Sequence, residues 1–186
     1  MSLTKHLITV DDLDDYPEDN GNRYELIEGE LLVSRAPGLP HQLVLQNLQV
    51  WLFTFLQQHP IGKIAPGAGA FFSKYDAVIP DLVFVSHERW DQIVANDRFE
   101  GAPNLVIEVV SPGRENRRRD LELKKRLYGK YGVEEYWIVD PENRSVSVFG
   151  LNEGVLTELT IASNNQEIQS RVLIDLHLEV EKLFNI

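Results

Sequence analysis

The segment NLVIEVVSP, residues 104–112, places a glutamate inside an otherwise apolar run. Five of the six residues from Leu105 to Val110 are branched aliphatic residues, which is typical of a short strand buried on both faces in a sheet flanked by helices. Glu108 then has no solvated face to occupy. A carboxylate taken out of water without a partner costs several kcal/mol or becomes neutral, so we expect Glu108 to have a partner.

A second acid lies in a similar apolar setting. Asp81 follows a proline in VIPDLVFV, residues 78–85, and has apolar neighbours on both sides. Two carboxylates on neighbouring buried strands repel each other unless a cation lies between them, and Mg²⁺ or Mn²⁺ suits carboxylate oxygens better than Zn²⁺ does. The alternative is that each acid is a strand-end residue bonded to backbone amides or to an arginine. The residues alone leave both interpretations open.

The segment RENRRRDLELKKRLYGK, residues 114–130, is strongly basic. It holds eight of the 18 Lys and Arg residues against three acids, a net charge of +5, whereas the whole chain carries −11. An acidic body disfavours general attraction to nucleic acid, but a local basic patch favours contact with an anion at one place. We expect the following residues to form a solvated face or a patch that contacts phosphates: Arg117, Arg118, Arg119 and Lys125.

A helix over this basic segment would direct one lysine towards the sheet. At 100° per residue, Lys124 and Tyr128 fall on one stripe with Leu121, while Lys125 lies at its edge. Beside two carboxylates, Lys124 could stabilise a pentavalent phosphate or help to deprotonate a metal-bound water. The alternative is that its aliphatic stem covers Tyr128 while its charge pairs with Asp120.

Glu25 and Glu28 in YELIEGE, residues 24–30, are candidate auxiliary acids. Glu28 is expected in an exposed turn, and Glu25 alternates with apolar neighbours and could simply be the polar face of a strand. His41, directly after Pro40, is predicted to be a surface residue rather than a ligand. Four aromatic residues are predicted to pack in the core rather than to stack on bases: Trp51, Trp90, Tyr136 and Trp137.

The hydrophobic patterning predicts an α/β (α+β mixed) fold. The expected elements are a hairpin over 24–34 turning at Glu28-Gly29, a helix over 41–59, paired strands over 70–73 and 78–86, a short helix capped by Ser86, the buried strand 104–111, a helix over 116–133 that ends near Gly132, and strands over 135–140 and 145–150. This order predicts a mixed central β-sheet flanked by helices, with an N-terminal β-hairpin.

Length and composition predict a single domain over 1–186, with an N-terminal extension over 1–15 and further strands and a tail over 151–186. No apolar segment is typical of a signal peptide or of a membrane span, so we expect a cytoplasmic protein without membrane contact. The chain has no cysteine, which excludes disulfides and Cys-ligated zinc.

In combination, these segments resemble the Uma-two type restriction endonuclease family of the PD-(D/E)XK nuclease superfamily. The resemblance covers roughly residues 16–150 and rests on YELIEGE, the helix introduced by His41, PDLVFV, NLVIEVVSP, Lys124 with Tyr128 four residues later, and GVEEYWIVDP. It implies a restriction endonuclease-like fold in which an Asp and a Glu hold Mg²⁺. Carried over, Asp81 is the acid of the PD element, Glu108 is the second acid, and the carbonyl of Val109 is a further metal ligand.

The sequence departs from the usual superfamily pattern at one position. The lysine that normally lies two residues after the second acid is replaced here by Val110. The resemblance implies that Lys124, on the following helix, takes its place, with Glu25, Tyr128 and His41 as auxiliary residues.

The resemblance therefore implies a metal-dependent endonuclease that uses Mg²⁺ or Mn²⁺ to hydrolyse DNA. Its partner would be nucleic acid, with the basic helix guiding the backbone, and a homodimer is expected because cutting both strands of a duplex asks for two sites. Two alternatives stay open. One is an inactive module of the same fold that binds nucleic acid or protein, and the other is a structural dimer partner whose basic helix docks on an acidic neighbour.

Overall fold

The computed structural model describes residues 7–17 and 21–185 of the chain. Residues 1–6 of the predicted N-terminal extension lie outside the described residues. The strands are β1 (Asn22–Ile27), β2 (Glu30–Arg35), β3 (Gly62–Pro66), β4 (Ala70–Ser73), β5 (Asp76–Val78), β6 (Leu82–Ser86), β7 (Val94–Ala95), β8 (Arg98–Phe99), β9 (Leu105–Val109), β10 (Glu135–Asp140), β11 (Ser145–Asn152), β12 (Val155–Ser163), β13 (Glu167–Ile168) and β14 (Leu178–Glu179). The α-helices are α1 (Leu39–Gln58), α2 (His87–Ile93), α3 (Arg114–Arg118), α4 (Lys125–Tyr131) and α5 (Val180–Leu183), and a 3₁₀ turn covers Asp11–Asp15.

A mixed six-stranded sheet forms the centre of the fold, in the order β12-β11-β10-β9-β6-β3. β9 and β10 are parallel, and the other neighbouring pairs are antiparallel. One face packs on α1, whose leucines at positions 45, 48, 52 and 56 are buried as their helical spacing predicts. The predicted mixed sheet flanked by helices is confirmed.

Alternation along β9 decides where its glutamate points. Leu105, Ile107 and Val109 pack in the core with α1, so Val106 and Glu108 lie on the opposite face, which α4 covers. All five residues of β9 are buried, as the apolar run predicts. The carboxylate of Glu108 is therefore held inside the protein, between the sheet and a helix.

The N-terminal hairpin belongs to a second six-stranded sheet, in the order β2-β1-β5-β4-β8-β7, which the sequence did not predict. The hairpin turns at Glu28 and Gly29, which have φ values of 54° and 73°. Both residues have a left-handed backbone conformation, as a two-residue hairpin turn requires. On the side away from β2, β1 pairs with β5, where Leu26 lies opposite Ala77.

The prediction that 70–73 and 78–86 form one pair of strands is wrong. β4 pairs with β5, which ends at Val78, and β6 begins at Leu82 in the central sheet, where it pairs with β3 and β9. Pro80 has no N–H to donate to a ladder, so the chain can leave one sheet there and enter the other. Asp81 lies at this crossing, immediately before β6.

The basic helix runs through residues 114–131, two residues earlier at its start than predicted. Between α3 and α4 it contains a π-helical segment, Arg119–Lys124, which the sequence did not predict. The wider turn changes which side chains face inward, and such segments are frequent at functional sites. Asp120 and Lys124, at its two ends, are both buried. The helix ends at Gly132 in the left-handed conformation, as predicted.

The C-terminal segment closes the far edge of the core. β13 and β14 form a small antiparallel sheet, and α5 packs against α1. Tyr136 and Trp137 are fully buried, which confirms their predicted place in the core. Within the described residues, no helix combines the length and apolar character needed to cross a membrane.

Candidate functional site

A cavity of about 420 Å³ opens where the two large sheets diverge. It is lined by the hairpin, the N-terminus of α1, the crossing at Ile79 and Asp81, the end of β9 and the basic helix. The register of β6 and β9 pairs Leu82 with Ile107, so the next position brings Asp81 opposite Glu108. The structure thus places the two acids singled out in the sequence side by side at one cavity.

Asp81 is buried and held by three elements. Its Oδ2 accepts a hydrogen bond from the backbone N–H of Val109 at 2.9 Å and lies 2.9 Å from Nε2 of His41, while Oδ1 lies 3.2 Å from Nη1 of Arg23. Burial raises the pKa of this carboxyl, but the hydrogen bond and charge of His41 and the charge of Lys124 outweigh it and lower the pKa to about 2. Asp81 is therefore ionised at neutral pH.

Glu108 also lines the cavity, but its pKa is raised, whereas that of Asp81 is lowered. Its Oε1 accepts hydrogen bonds from Lys124 Nζ at 2.9 Å and from Tyr128 O–H at 2.7 Å. Burial raises its pKa to about 8, because the charge of Lys124 only partly offsets burial and repulsion from neighbouring acids, chiefly Asp81. The positive charge near Glu108 therefore does not fully compensate for the burial of this carboxyl and the repulsion from neighbouring acids.

Lys124 is buried and joins two carboxylates. Its Nζ lies 2.8 Å from Oε1 of Glu25 and 2.9 Å from Oε1 of Glu108. The expected alternative pairing of Lys124 with Asp120 is not the closest contact, because Asp120 is bonded by Arg119 at 2.8 Å. Burial lowers the pKa of Lys124, but the charges of Glu108 and Glu25 outweigh it and hold the pKa well above its ordinary value.

Glu25 is not a solvated residue on the polar face of a strand, since it is buried. Besides Lys124, its Oε1 accepts a hydrogen bond from the backbone N–H of Ile79 at 2.8 Å. Glu28, in contrast, is exposed in the hairpin turn and pairs with Arg126 at 3.1 Å. The structure therefore brings Glu25 to the site and keeps Glu28 at the surface.

The prediction that His41 is a surface residue is wrong, because His41 is only 4% exposed. It lies on the same helical stripe as Leu45, Leu48 and Leu52, and that spacing could have indicated its burial. Its Nδ1 is buried and has no hydrogen-bond partner among the residues that the structure describes.

Comparison with known proteins places the chain in a family. The family model Uma2, described as "Putative restriction endonuclease", matches residues 10–181. The chain belongs to the Uma2 family. Among solved structures, the fold of this Uma2 chain is similar to that of a "putative nuclease belonging to DUF820" from Anabaena variabilis, with a TM-score of 0.76 and 20% identity over 95% of this chain and 97% of that one. No curated protein matches the chain.

The residues that line the Uma2 cavity include Arg23, for which the sequence predicts no role, and Arg119, which it predicts in a solvated face or phosphate-contacting patch. Arg23 lies two residues before Glu25 on β1 and therefore shares its face of the hairpin. Arg119 lines the cavity with its side chain 16% exposed, held by Asp120 beside it. The alternation of side chains along β1 could have indicated that Arg23 lies on the same face as Glu25. The place of Arg119 at the cavity depends instead on the π-helical segment, which the sequence does not predict.

Of the four basic residues expected in a solvated or phosphate-contacting patch, three do not line this cavity: Arg117, Arg118 and Lys125. Arg117 pairs with Asp140 at 2.7 Å, and Arg118 lies 3.7 Å from Glu122. Lys125 lies over the ring of Phe149, with its Nζ 4.6 Å from the centroid. Each of these three side chains thus contacts another side chain of the protein.

The donor set of the site fits a hard divalent cation. Oε2 of Glu108 has no hydrogen-bond partner among the described residues, and an extended residue directs its N–H and carbonyl to the same side, so the carbonyl of Val109 faces the side of Asp81. No group of three or more His, Asp or Glu side chains in the described part of the chain could hold a metal. Mg²⁺ nevertheless commonly binds through one or two carboxylates and keeps several waters.

Proposed function

We propose that this chain is a metal-dependent endonuclease that hydrolyses phosphodiester bonds in DNA. The observation that carries the proposal is the position of Asp81 opposite Glu108 at one cavity, with buried Lys124 bonded to Glu108. Family membership supports nuclease chemistry, and the similar structure is described as that of a "putative nuclease". The cofactor would be Mg²⁺ or Mn²⁺, held by Asp81, Glu108 and the carbonyl of Val109.

A bound divalent cation would polarise the phosphoryl group and lower the pKa of an attacking water. The protein's own groups divide the remaining tasks. His41 and the N–H of Val109 orient Asp81, which is ionised at neutral pH and ready to bind a cation. Tyr128 orients Glu108 through its O–H. These contacts fix both acids before any ligand arrives, so little reorganisation is needed.

Lys124 acts as a fixed positive charge rather than as a base. Its raised pKa keeps the ammonium protonated at neutral pH, so it cannot accept a proton from water. Glu25 holds the ammonium at the cavity, where it would neutralise charge that develops on a pentavalent phosphate. Of the two roles considered for this lysine from the sequence, we therefore propose the electrostatic one.

A binding module without catalysis is the second candidate function. It is favoured by one observation, which is that Lys124 is already bonded to two carboxylates and so compensates charge within the protein itself. A homodimer and a cytoplasmic location remain predictions for both candidates.

The decisive experiment is titration with Mg²⁺ and Mn²⁺ by calorimetry, run beside a nicking assay on supercoiled plasmid. The wild type is compared with Asp81→Ala and with Asp91→Ala, a matched control on the exposed face of α2. We expect Asp81→Ala to lose both binding and nicking while Asp91→Ala keeps both. Binding without nicking in the wild type would support the inactive module, and equal behaviour of all three proteins would overturn the metal site.

A further inference from the structure

A second, smaller crevice of about 110 Å³ adjoins the cavity. The two spaces share Gly38, His41, Ser111 and Pro112 in their walls, so they lie side by side. The walls of the crevice are mostly apolar, and the ion pair between Arg117 and Asp140 also lines it. The apolar residues that contribute to it are Pro40, Val110, Pro112 and Pro141.

His41 stands between the two compartments with one nitrogen engaged and the other unused. Its Nε2 lies beside Asp81, on the cavity side, and its buried Nδ1 has no partner in the described part of the chain. A buried polar atom without a partner costs free energy, and a bound water or ligand is one way in which such an atom is satisfied. A ligand that extends from the cavity into the crevice would pass this residue.

The charges around the site indicate whether it can bind duplex or single-stranded nucleic acid. Outside the cavity, most basic residues of the helix over 114–131 are already paired with a carboxylate within 4 Å, and these residues are Arg117, Arg118, Arg126 and Lys130. A phosphate that recruited one of them would meet the neighbouring carboxylate as well. An extended contact with the many phosphates of a duplex is therefore disfavoured on this acidic chain.

We propose that the cavity and the crevice together form a nucleotide-sized site for an unpaired strand. This inference rests on the proposed nuclease function and specifies its substrate class. Arg23 and Arg119, which line the cavity, contact the phosphate through guanidinium N–H groups that Asp81 and Asp120 do not occupy, and the base next to that phosphate lies in the apolar crevice. A base in a duplex stays stacked and cannot reach such a crevice, whereas a base in a single strand pays little to enter it.

The first test is the affinity for a short single-stranded oligonucleotide and for the blunt duplex of the same sequence. Both are measured by fluorescence anisotropy with Ca²⁺ in place of Mg²⁺. We expect the single strand to bind about tenfold more tightly, as stacking of one or two bases would give. Equal or tighter binding of the duplex overturns the inference. If Mg²⁺-dependent nicking persists in that case, the proposed function survives, and if neither nucleic acid binds or is cut, both fail.

Salt dependence tests the small number of phosphate contacts. With about two contacts, affinity for the single strand should fall by about tenfold between about 50 and about 200 mM salt. A loss of about a thousandfold or more would indicate six or more contacts and overturn the nucleotide-sized site.

Filling the crevice tests the place of the base. Pro141→Phe puts an aromatic ring at the crevice, at a residue that does not line the cavity, and Pro60→Phe, beyond the opposite end of the 20-residue helix α1, is the matched control. We expect Pro141→Phe to weaken single-strand binding about tenfold while Mg²⁺ binding by calorimetry stays unchanged. Unchanged strand affinity in a folded Pro141→Phe protein, shown by a normal unfolding transition, would overturn the assignment of the crevice.

Discussion

Lys124 Nζ lies 2.9 Å from Oε1 of Glu108 although sixteen residues separate them in the chain. Both side chains are 2% exposed, so this ion pair is formed almost entirely out of water. An ion pair in such a position gives little net stability, but removal of one partner leaves an uncompensated buried charge. The pair is therefore both a part of the proposed site and a point where substitution endangers the fold.

Replacement of Lys124 by Met should destabilise the protein by about 3 kcal/mol, because Glu25 loses its buried cation and Glu108 loses a hydrogen-bond donor. The measurement is urea unfolding at neutral pH. Lys125→Met is the control, because that lysine lies over the ring of Phe149 and forms no ion pair with the described residues, so the substitution should cost less than about 1 kcal/mol. Similar losses in the two variants would show that Lys124 is not compensating the buried carboxylates.

His41→Ala should weaken Mg²⁺ binding about ten- to a hundredfold, because Asp81 loses the side chain that fixes its Oδ2. Calorimetry measures the affinity, and His41→Gln should recover part of it by supplying a donor at a similar place. His177→Ala is a control, because this histidine is exposed and pairs with Glu167 rather than with a residue of the cavity. If His41→Ala loses stability but keeps the affinity, the histidine supports the fold and does not position Asp81.

Several parts of the site could be predicted because their signals are local. Glu108 stands out in an apolar run of the right length for a buried strand, and the helical stripe directs Lys124 inward. Both inferences need only the regular periods of strands and helices. The mixed sheet follows in the same way from the alternation of strands and helices.

Other parts depend on contacts that no local pattern specifies. The run over 78–86 looks like one strand, yet its two halves join different sheets around Pro80. A regular α-helix predicts Arg119 on a solvated or phosphate-contacting face, whereas this residue lines the cavity at the start of the π-helical segment. The helical spacing of His41 could have indicated its burial, but no local pattern shows that Asp81 lies against it.

The stability of the protein should depend on pH through Asp76, which lies outside the candidate site. It is buried and accepts hydrogen bonds from the N–H of Glu28 at 2.7 Å, the O–H of Tyr131 at 2.6 Å and the O–H of Ser73 at 3.0 Å, tying the hairpin turn to the end of α4. Burial raises the pKa of Asp76, but these bonds and the charge of Lys130 outweigh it, so its pKa is lowered on folding.

A carboxyl whose pKa is lowered on folding adds stability above its unfolded pKa, and that stability is lost as pH falls through the folded pKa. Asp76→Asn should therefore be less stable than the wild type at pH 7 by about 1–3 kcal/mol, and the difference should shrink below about pH 4. Urea unfolding across this range measures it. Asp91→Asn, at an exposed position, should follow the wild type at every pH, and a difference for Asp76→Asn that persists undiminished in acid would contradict the ionic role.

Glu135 links the C-terminal segment to the central sheet. Its carboxylate is fully buried and accepts hydrogen bonds from Trp137 Nε1 at 2.6 Å, Ser170 Oγ at 2.6 Å and the N–H of Arg171 at 2.7 Å. Glu135→Ala leaves these donors buried without an acceptor and should cost about 3 kcal/mol in urea unfolding. Hydrogen exchange should accelerate over 170–185 first, whereas Glu158→Ala, on the exposed face of β12, should change neither quantity. Because no described residue beyond 124 lines the cavity, Mg²⁺ affinity of the folded Glu135→Ala protein should equal that of the wild type, and a parallel loss of affinity would show that the C-terminal segment also holds the site in place.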